Sequence, residues 1–232
     1  MLEKLLDYEH DLFLALNGSN SVFLDQFMWL YSGKVVWYPV AILLIIILLY
    51  KKGWKECLFI VLAIALVVTL CDQLASGVFK PMFERFRPTR HPEFMDQVNL
   101  VFGYRGGGQY GFMSSHAANA FGFATFMGYL FRHPLFSTVI YIWAAITSYS
   151  RIYLGVHFIS DVVPGILFGI LIGYAVYRLY KWCRQRLILH ENDCPYPSNN
   201  YTKQQKILAA SGLLATMLVL VIFDGVLTSI LR

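Results

Sequence analysis

The sequence predicts an all-α membrane protein, a bundle of six transmembrane helices preceded by an amphipathic helix lying in the interface. Hydrophobic residues make up 57% of the chain and charged ones only 14%, far from the balance of a soluble globular domain. The mean hydropathy is +0.54. The apolar residues gather in six runs, at 35–50, 57–79, 117–131, 135–153, 159–180 and 207–230, lengths that approach or exceed the roughly 20 residues a helix needs to cross a bilayer. Six such runs in 232 residues leave little room for a separate soluble domain, so 1–232 reads as one membrane-embedded domain.

Residues 1–32 place Leu2, Leu5, Leu6, Leu12, Phe13 and Leu16 at roughly helical spacing, with Glu3, Lys4, Asp7, Glu9 and Asp11 between them. That pattern predicts an interfacial amphipathic helix ended by Asn17-Gly18, and a short piece at 22–29 leads into the first span. The interleaved acids do not resemble a cleaved secretory signal. Later connections alternate in charge. Placing those at 51–56, 132–134 and after Tyr177 in the cytoplasm collects Lys51, Lys52, Lys55, Arg132, Arg178, Lys181, Arg184, Arg186, Lys203 and Lys206 there, as the positive-inside rule asks. The 80–115 loop and both termini then face the exterior, and 207–230 is an extra C-terminal span.

The net charge of +5 is split among short connections and one cluster in a single loop, which argues against a nucleic-acid surface and fits anchoring to the headgroups of membrane lipids. Cys57, Cys71, Cys183 and Cys194 lack metal-ligand spacing, and neither a disulfide nor zinc is expected. Asp72 and Asp224 lie inside apolar runs, where a charge is costly.

Three clusters, all on the outer face in this topology, carry the candidate chemistry. Lys80 and Arg87 stand seven positions apart at the end of the second run; on a helix that is nearly two turns, so both can grip one anion, while Pro88 disfavours helix at Arg87. Ser114 and Ser115 are candidate N-caps opening the third span, whose free N–H groups suit an anion, with His116 beside them. In the third cluster His157 and Asp161 are four apart, so on a helix the carboxylate can fix the imidazole tautomer, and Arg151, across a turn at Gly155, offers a planar fork for phosphate oxygens. Arg85, Arg90 and Arg105 read as solvated loop bases, with contact to a headgroup as the alternative, and the loop at 103–111 as a flexible lip at the site.

In order, Lys80 to Arg87-Pro88, Met113-Ser114-Ser115-His116, and Ser150-Arg151 to His157 and Asp161 resemble the three signatures of the type 2 phosphatidic acid phosphatase superfamily, K-x6-R-P, P-S-G-H and S-R-x5-H-x3-D. The first and third are intact. Met113 and Ser115 depart from the usual Pro and Gly, and Gly tolerates a positive φ that Ser adopts reluctantly. The motif core spans 80–161. The resemblance implies an all-helical lipid phosphatase, in which His157 attacks phosphorus to form a phospho-histidine, Asp161 orients it, and His116 protonates the leaving oxygen. It also implies that Lys80, Arg87, Ser114 and Arg151 hold the phosphoryl oxygens, with the Ser115 amide as a further donor. No metal or other cofactor is expected. Small bacterial members of similar helix count point to undecaprenyl diphosphate as substrate and to the bacterial inner membrane, with the site facing the periplasm or exterior. Lipid A phosphate, phosphatidylglycerol phosphate and phosphatidic acid are alternatives, as are a lipid phosphotransferase and a non-enzymatic transporter or scaffold.

Overall fold

The computed structural model describes residues 2–19, 21–187 and 201–232. Its helices are α1 (Leu2–Leu16), α2 (Val22–Ser32), α3 (Tyr38–Leu49), α4 (Trp54–Gln73), α5 (Lys80–Phe83), α6 (Ser115–Phe131), α7 (Pro134–Tyr153), α8 (Ile159–Leu187), α9 (Lys203–Ile222) and α10 (Asp224–Leu231). α6 lies at the centre, packed on α4, α7 and α8, while α9 closes the bundle against α3 and α7. The α6–α8 seam is built for close approach. A Cβ at Gly165 would stand 2.7 Å from the Ser114 carbonyl, and one at Gly169 would overlap the Ala118 carbonyl, so the backbones meet where small residues permit it. Leucines and isoleucines such as Ile42, Ile45, Leu62, Leu167, Leu171 and Leu218 point outward, a surface that only lipid covers at low cost.

Hydropathy marks the apolar runs but is blind to breaks within them. Among the described residues three helical rods are long and apolar enough to cross a membrane, 54–83, 159–187 and 203–222, and α2 with α3 makes a fourth if its two halves, bent by 70° at residues 33–34, count as one span. The six expected spans are therefore not all matched. α6 has only 17 residues, and α7 has the length but carries Ser137, Thr138, Thr147, Ser148, Ser150 and Arg151 along it. The expected 207–230 span is interrupted at Phe223, and Asp224 opens α10, placing its carboxylate in a first turn, where the helix dipole favours it. The 54–83 rod runs on past Gln73 through a π-helical stretch, Leu74–Phe79, to Lys80; such insertions re-aim the side chains that follow.

The segment expected to lie in the interface does form a helix, α1, yet part of it is built into the protein. Phe13 is fully buried with Phe94 and Phe158, and Asn17 spans the turn after α1. Its amide donates to the Tyr153 carbonyl at 2.9 Å and its side-chain oxygen accepts from the Asn99 N–H at 2.7 Å.

At the far end of the bundle Arg184, assigned from sequence to a basic cytoplasmic stretch, is instead buried against Glu56. Its Nε lies 2.8 and 3.0 Å from the two carboxylate oxygens, and Tyr180 donates its hydroxyl to the same carboxylate. Deleting one partner leaves a buried charge uncompensated, so Glu56→Ala is expected to destabilise the fold by about 3–5 kcal/mol. Thermal unfolding in detergent checks this; an unchanged midpoint contradicts it.

Candidate active site

All three sequence clusters meet at one end of α4, α6, α7 and α8. α6 opens at Ser114, an extended N-cap whose hydroxyl accepts from the Ala117 N–H at 3.4 Å, and whose own N–H donates to the Asp161 carbonyl at 3.0 Å. Ser115 is the first helical residue, and the positive-φ positions lie elsewhere, so Ser sits where the family usually has Gly without entering the left-handed region. Lys80 bridges to this corner, donating to Ser76 at 3.1 Å and to the Ser115 hydroxyl at 3.4 Å. The fields of Asp72 and Asp161 both reach its ammonium. His116 is half-buried beside them, within the field of Arg151, His157 and Lys80.

Lys80 and Arg87 do not share a helix. α5 ends at Phe83, Glu84 turns left-handed at φ 45°, and Arg87 is extended at φ −67°, ψ 152°, as the following Pro88 requires. The 85–87 segment pairs instead with 109–111. The Arg87 N–H donates to the Gln109 carbonyl at 3.1 Å, and the Gly111 N–H to the Arg85 carbonyl at 2.7 Å. In an extended segment residues i and i+2 face the same side, so Arg85 and Arg87 both reach the start of α8. The glycine loop, read from sequence as a flexible lip, is therefore a wall of the site. A Cβ at Gly111 would stand 2.9 Å from Asp161 Oδ2, and one at Gly106 2.9 Å from Val156.

His157 precedes α8 rather than lying on it, and is 1% exposed. Its Nε2 faces Arg87 Nη1 at 3.0 Å. Since guanidinium only donates, Nε2 accepts and the proton of the neutral ring is assigned to Nδ1, 3.6 Å from Asp161 Oδ2. From sequence the Asp161 carboxylate is expected to accept that proton, but the separation exceeds a hydrogen bond. Burial, then Arg87, Arg151 and Lys80, hold His157 well below the ordinary histidine range, opposed by the Gly111 backbone, so the resting ring is neutral. Burial, and after it Arg151, brings Arg87 down to about 10; it stays charged at neutral pH.

Asp161 is fully buried. Its Oδ2 accepts from the Phe158 N–H at 3.0 Å and its Oδ1 from Arg85 at 2.9 Å. Arg85 is thus no solvated base. It also pairs with Glu9 of α1 at 2.8 Å and lies 4.7 Å over the Phe158 ring, while Glu9 accepts from the Ser160 N–H at 2.8 Å at the start of α8. Arg151, 2% exposed, donates to the hydroxyls of Ser32 and, at 3.1 Å, Tyr104. Glu9, Ser32, Arg85 and Tyr104 were not legible as site residues. The one signal available was Arg85 standing two positions before Arg87. Arg90 and Arg105 are exposed, as their loop position implied.

Because Arg87 contributes the largest electrostatic effect on His157 after burial, Arg87→Gln is expected to raise the pKa of the ring. If His157 acts through its ring lone pair, residual kcat/KM then begins to fall at a higher pH on acidification than in wild type, since a protonated ring has no lone pair to offer. A pH profile of the variant whose acid limb is unmoved or lower contradicts this.

Residues 56–185 match the family model described as the PAP2 superfamily. The chain is 42% identical over its whole length to a lipid A 4'-phosphatase of Porphyromonas gingivalis, covering 97% of that protein. It is 40% identical over 92% of its length to a lipid A 4'-phosphatase of Bacteroides thetaiotaomicron, covering 94% of it. Among solved structures it resembles Aquifex aeolicus LpxE, with a TM-score of 0.53 and 26% identity over 72% of this chain and 93% of that one. With the signature residues gathered at one end of a helical bundle, these likenesses show that the chain belongs to the PAP2 superfamily, as a membrane hydrolase of lipid phosphates.

Proposed function

We propose that the protein removes the 4'-phosphate of lipid A or a closely related phosphorylated saccharide lipid through a phospho-histidine on His157. The observation that carries the phosphate part is the state of two arginines. Arg87 and Arg151 are 4% and 2% exposed, and among the described residues no carboxylate pairs with either. The Nε of each is buried without a hydrogen-bond partner. Two buried cations with unused donors are costly alone, and a phosphoryl dianion satisfies both. The choice of lipid rests on the two relatives at 42% and 40% identity, which favour lipid A over undecaprenyl diphosphate, the substrate preferred from sequence.

The chemistry follows from the positions. The His157 Nε2 lone pair attacks phosphorus as the ester P–O bond breaks, and His116, carrying a second proton once the phosphoryl dianion offsets the cations around it, gives that proton to the leaving oxygen. His116 then takes a proton from water, which attacks phosphorus; the P–N bond breaks, inorganic phosphate leaves and His157 returns neutral. Lys80, Arg87 and Arg151 offset charge on the equatorial oxygens, with Ser114, Ser115 and the α6 N–H groups around them. The site faces the periplasm or exterior of a bacterial inner membrane.

Among the described residues no group of three His, Cys, Asp or Glu side chains is placed to hold a metal. Phosphate release from purified protein is therefore expected to survive EDTA and to be inhibited by vanadate. In a panel of lipid A, undecaprenyl diphosphate, phosphatidylglycerol phosphate and phosphatidic acid, kcat/KM is expected to be highest on lipid A, with the 4'-phosphate lost by mass. Loss of turnover in EDTA that Mg²⁺ restores, or a highest kcat/KM on another lipid, contradicts the respective part. Inorganic phosphate released from a single purified lipid separates hydrolysis from phosphotransfer.

A further inference from the structure

Beside the phosphate site lies a cleft of about 240 Å³ whose walls include Trp29, Ser32, Lys34, Tyr104, Leu154 and Leu231. Two of these residues also hold Arg151, through the Ser32 and Tyr104 hydroxyls, so the cleft and the phosphate site share a wall. Lys34 stands at the 70° bend between α2 and α3, just past Gly33, whose N–H closes the end of α2 on the Leu30 carbonyl at 2.9 Å. Lys34 is exposed, and among the described residues no carboxylate pairs with it. The cleft adjoins Arg151 through the Ser32 and Tyr104 hydroxyls, so an alcohol departing from a phosphate held on Arg151 has this cleft as its neighbour.

Its lining selects among alcohols. Trp29 is braced edge-on by Phe102 at 6.0 Å, and Tyr104 carries the Arg151 guanidinium 5.5 Å from its ring centre. Rings held in this way, with aliphatic walls and one cation at the rim, suit the C–H faces of a saccharide that bears an anion. The volume is below the roughly 300–1,000 Å³ of pockets that enclose drug-sized ligands and is enough for one ring.

We propose that this cleft binds the saccharide ring of the leaving group, and that Lys34 pairs with a second anionic group on it, making Lys34 a specificity-determining residue. The proposal rests on the saccharide-lipid reading above and narrows it.

The test measures kcat and KM for wild type, Lys34→Gln and Trp29→Leu on three substrates: a lipid-linked glucosamine disaccharide with two phosphates, the same lipid with only the scissile phosphate, and phosphatidic acid. A charge-assisted contact is among the stronger hydrogen bonds, so Lys34→Gln is expected to raise KM about tenfold or more on the bisphosphate while leaving kcat and the other two substrates nearly unchanged. Trp29→Leu is expected to raise KM on both saccharides and not on phosphatidic acid. Equal effects on all three substrates reduce Lys34 to a general electrostatic role and overturn the proposal, as does no effect on any. If wild type turns over phosphatidic acid alone, the saccharide-lipid reading fails. The cleft is then judged by whether the bisphosphate inhibits that turnover and Lys34→Gln relieves the inhibition; absence of either result overturns it.

Discussion

His157→Ala is expected to abolish phosphate release, lowering kcat by about 10⁴-fold or more, since removing a covalent nucleophile leaves only binding and charge stabilisation to act. The loss is chemical, because His157 sits in a turn fixed by backbone bonds that the substitution spares: Val156 N–H to the Arg151 carbonyl at 3.1 Å and Gly155 N–H to the Ile152 carbonyl at 2.9 Å. KM is expected to change little, as Arg87, Arg151 and Lys80 still receive the phosphate. His116→Ala separates the two imidazoles. With a substrate whose leaving group needs no protonation, this variant still transfers phosphate to His157 but lacks the base that activates water, so acid-labile, alkali-stable label accumulates on the protein. His157→Ala accumulates none. Label on His157→Ala, or turnover within tenfold of wild type, means that another group attacks phosphorus.

Local spacing made the three signatures legible, because Lys80 to Pro88, Ser114 to His116 and Arg151 to Asp161 are each short enough for sequence distance to stand for spatial distance. The composition likewise exposed a helical membrane protein, since lipid-facing surfaces such as Leu167 and Leu171 leave a direct trace in hydropathy. Breaks left a fainter one. Asp224 inside an apolar run marked the end of α9, and Gly33-Lys34 marked the bend before α3, yet a sliding hydropathy average passes over both. The Arg85 role was hidden by the wrong period: a helix was assumed from Lys80 to Arg87, whereas the chain turns extended after Glu84, and period 2 places Arg85 beside Asp161. Glu9 was hidden by separation, since its bond to Ser160 closes a loop of 151 residues. No local pattern encodes such a contact.

Asp161→Asn is expected to cost on the order of 10³-fold in kcat, because the amide can offer its N–H to Nδ1 and drive the ring toward the tautomer whose Nε2 is protonated and cannot attack. The same carboxylate is held from behind, so the effect should be graded outward along the chain of contacts. Arg85→Gln removes a charged partner 2.9 Å from Asp161 Oδ1, and Glu9→Gln loosens Arg85 and weakens the cap on the Ser160 N–H. Small displacements of a nucleophile are amplified in rate, so kcat is expected to fall about a hundredfold for Arg85→Gln and about tenfold for Glu9→Gln. KM should stay near wild type in both, because the phosphate-facing cations are untouched. Glu9→Asp, which keeps the charge on a shorter arm, should recover part of the loss. A purely structural role for α1 predicts something else: lower stability, with kcat per folded molecule unchanged and no advantage of Asp over Gln. Kinetics normalised to folded protein distinguish the two, and a Glu9→Gln enzyme with wild-type kcat would remove α1 from the catalytic arrangement and leave it as a cover over Phe94 and Phe158.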